Sequence, residues 1–150
     1  MVTVALPDTW VYALRLPHDP RAARVARTTV RAALNGHGMS EVLDVAVLLT
    51  SELVTNAYQY ANGAASLRLT ALGGGRLRVS VWDANPYVPA PFDAAPGVRP
   101  SPAPVDAVNG RGLLLVQAWA DAWGGDALGR GAGKLLWFEV GGRAREAWAV

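Results

Sequence analysis

Two segments of alternating hydrophobicity, ASLRLTAL (65–72) and RLRVSVWD (76–83), stand on either side of Gly73, Gly74 and Gly75. Alternation with a period of two sends successive side chains to opposite faces of a strand. Leu67, Leu69 and Ala71 therefore share one face of the first segment, and Leu77, Val79 and Val81 one face of the second. The pair reads as an antiparallel hairpin with one buried face. Something apolar has to cover that face, and the rest of the chain must supply it.

The remaining segments supply it as helices. WVYALRL (10–16) is strand-like. Asp19 and Pro20 make an N-cap and first-turn pair for a helix running to Asn35-Gly36. Arg21, Arg24, Arg27 and Arg31 form a basic stripe on it, read first as a solvated face and second as a partner surface. Ser40 is placed to open a second helix that stops at Asn62-Gly63. From Ala84 to Asn109 run 26 residues that hold seven of the ten prolines and show no periodicity. A loop so long within a compact domain is usually functional or disordered. GRG at 110–112 leads into LLLVQAWADAWG, read as a third helix, and a GRGAG turn (129–133) precedes a last strand, KLLWFEV (134–140). The order strand, helix, helix, hairpin, long loop, helix, strand predicts an α/β (α+β) two-layer sandwich. Its sheet is mixed but mostly antiparallel, with helices on one face. Regular βαβ alternation is absent, which argues against a doubly wound sheet.

Composition sets the remaining bounds. The 150 residues fit one domain, and with 51% apolar and 17% charged residues the chain reads as a packed globule. It has no cysteine, which removes thiolate catalysis, zinc–thiolate sites and disulfides. The net charge is only +2, from thirteen arginines, one lysine and twelve acids, and the basic residues are dispersed. No segment combines concentrated charge with stacking aromatics, so nucleic acid is not expected as a partner. The start, MVTVALPDTW, has no basic leader region, and VLDVAVLL is interrupted by Asp44 and too short to span a bilayer. A cytoplasmic protein with no membrane partner is expected.

Chemistry concentrates in three places. Within SELVTNAYQY (51–60), Glu52, Thr55, Asn56 and Gln59 follow i, i+3, i+4, i+7 spacing and share one face of an otherwise apolar helix. A buried carboxylate and amide need partners. With a ligand there, Glu52 has the chemistry of a general base, and Asn56 offers an amide oxygen to a hard cation such as Mg²⁺. VWDANP places Asp83 at the end of a strand with an apolar inner face. GRG precedes a helix, whose free N–H groups and dipole favour an anion, with glycine allowing close backbone approach. Singly, each is ordinary: a turn, a cap, a stripe.

Other motifs fall away. GRGAGK (129–134) is one residue short of a phosphate-binding loop, and Leu135 stands where the metal-binding hydroxyl belongs. His18 and His37 lie in loops far in sequence from any carboxylate cluster and read as surface residues. Ser51 has no GxSxG context and no evident base.

Taken in order, SELVTNA, VWDANP, a Pro-rich loop, GRGLLLV and GKLLWFEV resemble the anti-sigma-factor/serine-kinase branch of the GHKL ATPase superfamily. The resemblance covers about residues 10–140. It implies the Bergerat ATP-binding fold, one domain over 1–150, and a lid at about 84–109. SELVTNA resembles the N box, which implies Glu52 as general base and Asn56 as Mg²⁺ ligand. VWDANP resembles the G1 box, whose aspartate, here Asp83, takes the exocyclic amine of adenine. GRGLLLV resembles the G2 box, placing Gly110, Arg111, Gly112 and Leu113 at the phosphates. The chain departs from the family at three points. Asn85 and Pro86 replace a frequent glycine two residues after the aspartate, Tyr60 replaces a frequent histidine, and Lys134 stands where several members have a threonine near adenine. Asn85 and Lys134 remain candidate nucleotide contacts.

The resemblance implies ATP and Mg²⁺ as cofactors and an ATP-dependent protein serine/threonine kinase that regulates transcription. Its partners would be a STAS-type anti-sigma-factor antagonist and/or a sigma factor, often with the kinase as a homodimer. The alternative is a non-catalytic module that uses nucleotide to set its conformation and sequesters a partner. An ATP hydrolase ranks last, because the chain holds no further domain to use the energy.

Overall fold

The computed structural model describes residues 8–93 and 111–142. In chain order the elements are β1 (Thr9–Leu16), α1 (Ala22–Gly36), a 3-10 turn (Ser40–Val42), α2 (Leu43–Tyr60), β2 (Ala65–Gly73), β3 (Arg76–Asp83), α3 (Arg111–Trp119), β4 (Ala122–Ala127) and β5 (Lys134–Val140). The strands form one sheet in the order β1-β2-β3-β5-β4, and every neighbouring pair is antiparallel. The expected mixed character is absent from these five strands. The two-layer α/β architecture is as the segment order predicts.

The hairpin follows its alternation. Leu67 pairs with Val81, Leu69 with Val79 and Ala71 with Leu77, and all six side chains are buried. Gly73, Gly74 and Gly75 take φ values of +91°, +63° and +77°, a conformation that a Cβ disfavours, which is why glycine makes this turn. On β5 the same face carries Leu136, Phe138 and Val140, and on β1 it carries Leu14 and Leu16. Against it α2 lays Ala46, Leu49, Leu53 and Ala57, and α1 packs on α2 through Ala26, Val30, Ala33 and Leu34. Burying a leucine such as Leu49 or Leu53, each wholly enclosed, contributes about 1.5–3 kcal/mol. The opposite face of the sheet carries polar and aromatic residues. There Arg76 and Arg78 hold Glu139, and the Arg78 guanidinium lies 4.5 Å from the centre of the Trp137 ring.

Several boundaries move. Asp19 is not the N-cap: α1 begins at Ala22, which puts Asp19 two positions outside the N-cap Arg21, and its Oδ1 accepts the N–H of Arg21 at 2.8 Å. Ser40 lies in the 3-10 turn and gives no side-chain cap, so α2 proper starts at Leu43. His37 is not a free surface residue. Its ring stacks on Trp10, with centroids 4.6 Å apart, and Nε2 lies 2.8 Å from the hydroxyl of Tyr12.

The larger correction concerns LLLVQAWADAWG, expected as one helix. The structure ends α3 at Trp119 and makes 122–127 a strand that pairs with β5. Helix is penalised at the adjacent Gly124 and Gly125, and the Asp121 N–H finds the carbonyl of Glu139 at 2.9 Å. Gly124 is required: a Cβ there would lie 2.6 Å from the Trp137 indole. No helix among the described residues is long and apolar enough to cross a membrane.

Candidate functional site

The polar stripe of SELVTNAYQY lies on the C-terminal half of α2. Asn56 is buried at 6% exposure, and its Oδ1 has no hydrogen-bond partner among the described residues. Leaving a buried amide oxygen unpaired costs about 1–3 kcal/mol. One turn earlier, Glu52 is half-buried, and burial pushes its carboxyl above the ordinary value of 4.5. Thr55 is half-buried beside them, while Gln59 is exposed and stands outside the group. Residues 52, 56 and 60 recur every four positions, so they form a row about 12 Å long along the axis.

At the end of that row α2 meets the end of β3. The link is Asn85, whose Nδ2 donates to the carbonyl of Tyr60 at 2.8 Å. The same side chain accepts the Tyr87 N–H at 3.0 Å, and the Asn85 N–H donates to Asp83 Oδ1 at 2.9 Å. Two consecutive side-chain-capped turns therefore hold the chain as it leaves β3.

Asp83 is the last residue of β3 and lies opposite Lys134, the first residue of β5, on the helix-covered face. Their side chains are 2% and 1% exposed, and Lys134 Nζ donates to Asp83 Oδ1 at 2.9 Å. A second Lys134 N–H reaches the carbonyl of Asn85 at 3.3 Å. Gly133 makes this approach possible, since a Cβ there would lie 2.0 Å from the carbonyl oxygen of Asp83 and its φ is +89°. The Trp82 indole N–H donates to the carbonyl of Ala132 at 2.9 Å and holds the β4–β5 turn against the end of β3.

Of the residues singled out in the sequence, Asp83, Asn85 and Lys134 are bonded to one another, and Tyr60 joins them through its backbone. Asn56 and Glu52 lie one and two turns further back on α2. Leu113 is buried near the start of α3, which packs on α2. Arg111 and Gly112 open α3, whereas Gly110 lies outside the described residues. Of the expected lid, residues 84–93 are described. They fold back so that Val88 and Phe92 pack over Gly125 of β4. Residues 94–109 lie outside the described residues.

The sequence reading missed two members of the cluster, the carbonyl of Tyr60 and the close approach at Gly133. It also read Lys134 as a departure and candidate nucleotide contact and did not foresee its bond to Asp83. A signal existed: Lys134 is the only lysine among fourteen basic residues, and it opens a strand whose next four residues are all apolar.

A divalent cation suits the orphaned Oδ1 of Asn56. Among the described residues no three of His, Cys, Asp or Glu gather into a metal cluster. A cation here would therefore lean on the amide oxygen and on ligand oxygens, a usual arrangement for Mg²⁺ at phosphates.

The sequence matches the histidine kinase-like ATPase domain family over residues 16–139, from the end of β1 to the end of β5. It is also similar to an uncharacterized protein of Streptomyces coelicolor, SCO4941, with 43% identity over 60 residues. That alignment takes in 40% of this chain and half the length of the relative.

Proposed function

From a chain that belongs to the histidine kinase-like ATPase domain family, we infer an ATP- and Mg²⁺-dependent regulatory protein kinase of the anti-sigma-factor type. Its phosphoryl acceptor is a serine or threonine on a small STAS-type antagonist, and it sequesters a sigma factor as a cytoplasmic homodimer. The observation that carries the nucleotide reading is the buried Oδ1 of Asn56, without a hydrogen-bond partner among the described residues and one turn from a half-buried carboxylate. In this reading Asn56 holds Mg²⁺, which when bound neutralises charge on the phosphate oxygens. Asp83, Asn85 and Lys134 receive the base, and the start of α3 faces the phosphates.

Glu52 takes the proton from the acceptor hydroxyl as the Ser or Thr oxygen forms its bond to the γ-phosphorus and ADP departs with the bridging oxygen. Burial raises its pKa towards the working pH, which suits a general base. The test is calorimetric titration with ATP, with and without Mg²⁺. Saturable binding strengthened by Mg²⁺ is expected, and in Asn56→Ala the Mg²⁺ effect should disappear. Binding that ignores Mg²⁺ in the wild type overturns the role given to Asn56.

A second reading has an observation of its own. Lys134 already holds Asp83 Oδ1, and a base that claimed that oxygen would have to break a buried pair. This favours a module that binds nucleotide weakly and acts by sequestration alone. Nucleotide binding without phosphoryl transfer to a STAS-type partner supports the module over the kinase.

A further inference from the structure

The base subsite assigned under the proposed function differs chemically from a lone carboxylate. An ionised aspartate only accepts hydrogen bonds. Facing position 6 of a purine, it accepts from an amino group and repels a carbonyl, so an acceptor-only site placed there favours adenine over guanine. In this chain the carboxylate does not stand alone. Lys134 Nζ lies 2.9 Å from Asp83 Oδ1 and 3.3 Å from the carbonyl of Asn85, on the same buried face of the sheet. The pair is neutral overall and presents a donor beside an acceptor.

We propose that the Asp83–Lys134 couple makes this subsite accept 6-oxo purines, guanine and hypoxanthine, alongside adenine, with Lys134 as the residue that admits them. The inference rests on the nucleotide reading given above. A lysine carries three N–H donors, and the longer contact, to Asn85, is the one a ligand carbonyl takes over. The carboxylate has about four acceptor sites, more than the two that its bonds to Lys134 and the Asn85 N–H use. Guanine thus sets O6 on Lys134 and its N1–H and amino group on Asp83. Adenine sets its amino group on Asp83 and leaves Lys134 on the carbonyl of Asn85. Both purines leave the ion pair intact, so neither has to separate two buried charges.

The position of Lys134 is built in. It pairs with Asp83 in the β3–β5 register, and the absence of a Cβ at Gly133 lets the two strand ends close to contact. Asn85 holds the third side of the couple and is tied to the end of α2 through Tyr60.

The experiment is calorimetric titration of the full chain with ADP, GDP and IDP in Mg²⁺. The wild type is expected to bind ADP and GDP with dissociation constants within about tenfold of each other. In Lys134→Met, GDP and IDP should weaken by about 10- to 100-fold relative to ADP, the worth of a hydrogen bond from a charged donor. Lys134→Arg should keep the wild-type ratio, and circular dichroism verifies that each variant folds. ADP binding with GDP more than about 100-fold weaker in the wild type overturns the inference and leaves the nucleotide reading standing. An unchanged GDP-to-ADP ratio in folded Lys134→Met also overturns it. Failure of all three nucleotides to bind overturns the functional reading and this inference with it. The wild-type titration decides the matter even where a variant does not fold.

Discussion

The side-chain amide of Asn85 donates to the carbonyl oxygen of Tyr60 across 2.8 Å, joining the end of β3 to the end of α2. This bond connects the row formed by Glu52 and Asn56 to the cluster formed by Asp83 and Lys134. Asn85→Ala removes it, together with the cap on the Tyr87 N–H. A loss of about 1–3 kcal/mol is expected, read as a lower urea midpoint at unchanged slope. No change in midpoint would show that the join is incidental.

Asp83 and Lys134 are a buried pair, and removing one partner leaves the other charge uncompensated. Lys134→Met is expected to cost about 3–5 kcal/mol, while Asp83→Leu combined with Lys134→Met should recover much of that loss. Denaturation of both single variants and the double variant gives the coupling energy. Additive losses would mean that the two charges do not depend on each other.

Glu52 has its carboxyl pushed up by burial, so the charged form is disfavoured in the folded state. The stability this group contributes is fully present below its unfolded value near 4.5 and is lost as pH rises through the higher folded value. Glu52→Gln should therefore be more stable than wild type at neutral pH, with the difference vanishing at acid pH. Thermal melts of both proteins across pH 3–8 check this. In the proposed kinase the same change abolishes phosphoryl transfer and leaves ATP affinity within about threefold, since a general base adds little to ground-state binding.

Asp19 is lowered from 3.8 to about 2, first by its side-chain bond from Arg21 and then by the Arg21 backbone N–H. The stability tied to this depressed value is present above 3.8 and lost as pH falls through about 2. A carboxyl-detected NMR titration should place the Asp19 midpoint near 2 in the wild type and shift it towards 3.8 in Arg21→Ala. A wild-type midpoint near 3.8 would rule out these bonds from Arg21 in solution.

Gly133 has φ +89° and no room for a Cβ, which would lie 2.0 Å from the Asp83 carbonyl oxygen. Gly133→Ala should cost about 1–3 kcal/mol from backbone conformation alone, with displacement of the strand end adding to it. Gly129→Ala, where nothing lies within 4 Å of a Cβ, is the matched control and should change stability far less. Equal effects at both positions would remove the argument from close approach.

Much of the fold was legible because it is written in local periods. The alternation around Gly73–Gly75 specified a hairpin and its buried face. KLLWFEV named its own strand, and α1 and α2 announced themselves by spacing, with ends a few residues off where capping depended on actual geometry. The apolar run after Gly112 misled, because Leu113, Val116, Ala120 and Trp123 keep a helix-like spacing past the point where the helix stops. Only the offer of β5 as a partner turns 122–127 into a strand.

The sequence by itself determined the layer architecture, the polar stripe carrying Glu52 and Asn56, and the presence of Asp83 at a strand end, since each is a property of neighbours a few residues apart. Only the tertiary structure decided that Lys134 meets Asp83, 51 residues away. It alone decided that Asn85 anchors to Tyr60 and that Asn56 Oδ1 is buried with no partner among the described residues. Those contacts come from the register between non-adjacent segments and from the close approach that Gly133 permits. Register is a property of the assembled sheet that no local pattern carries.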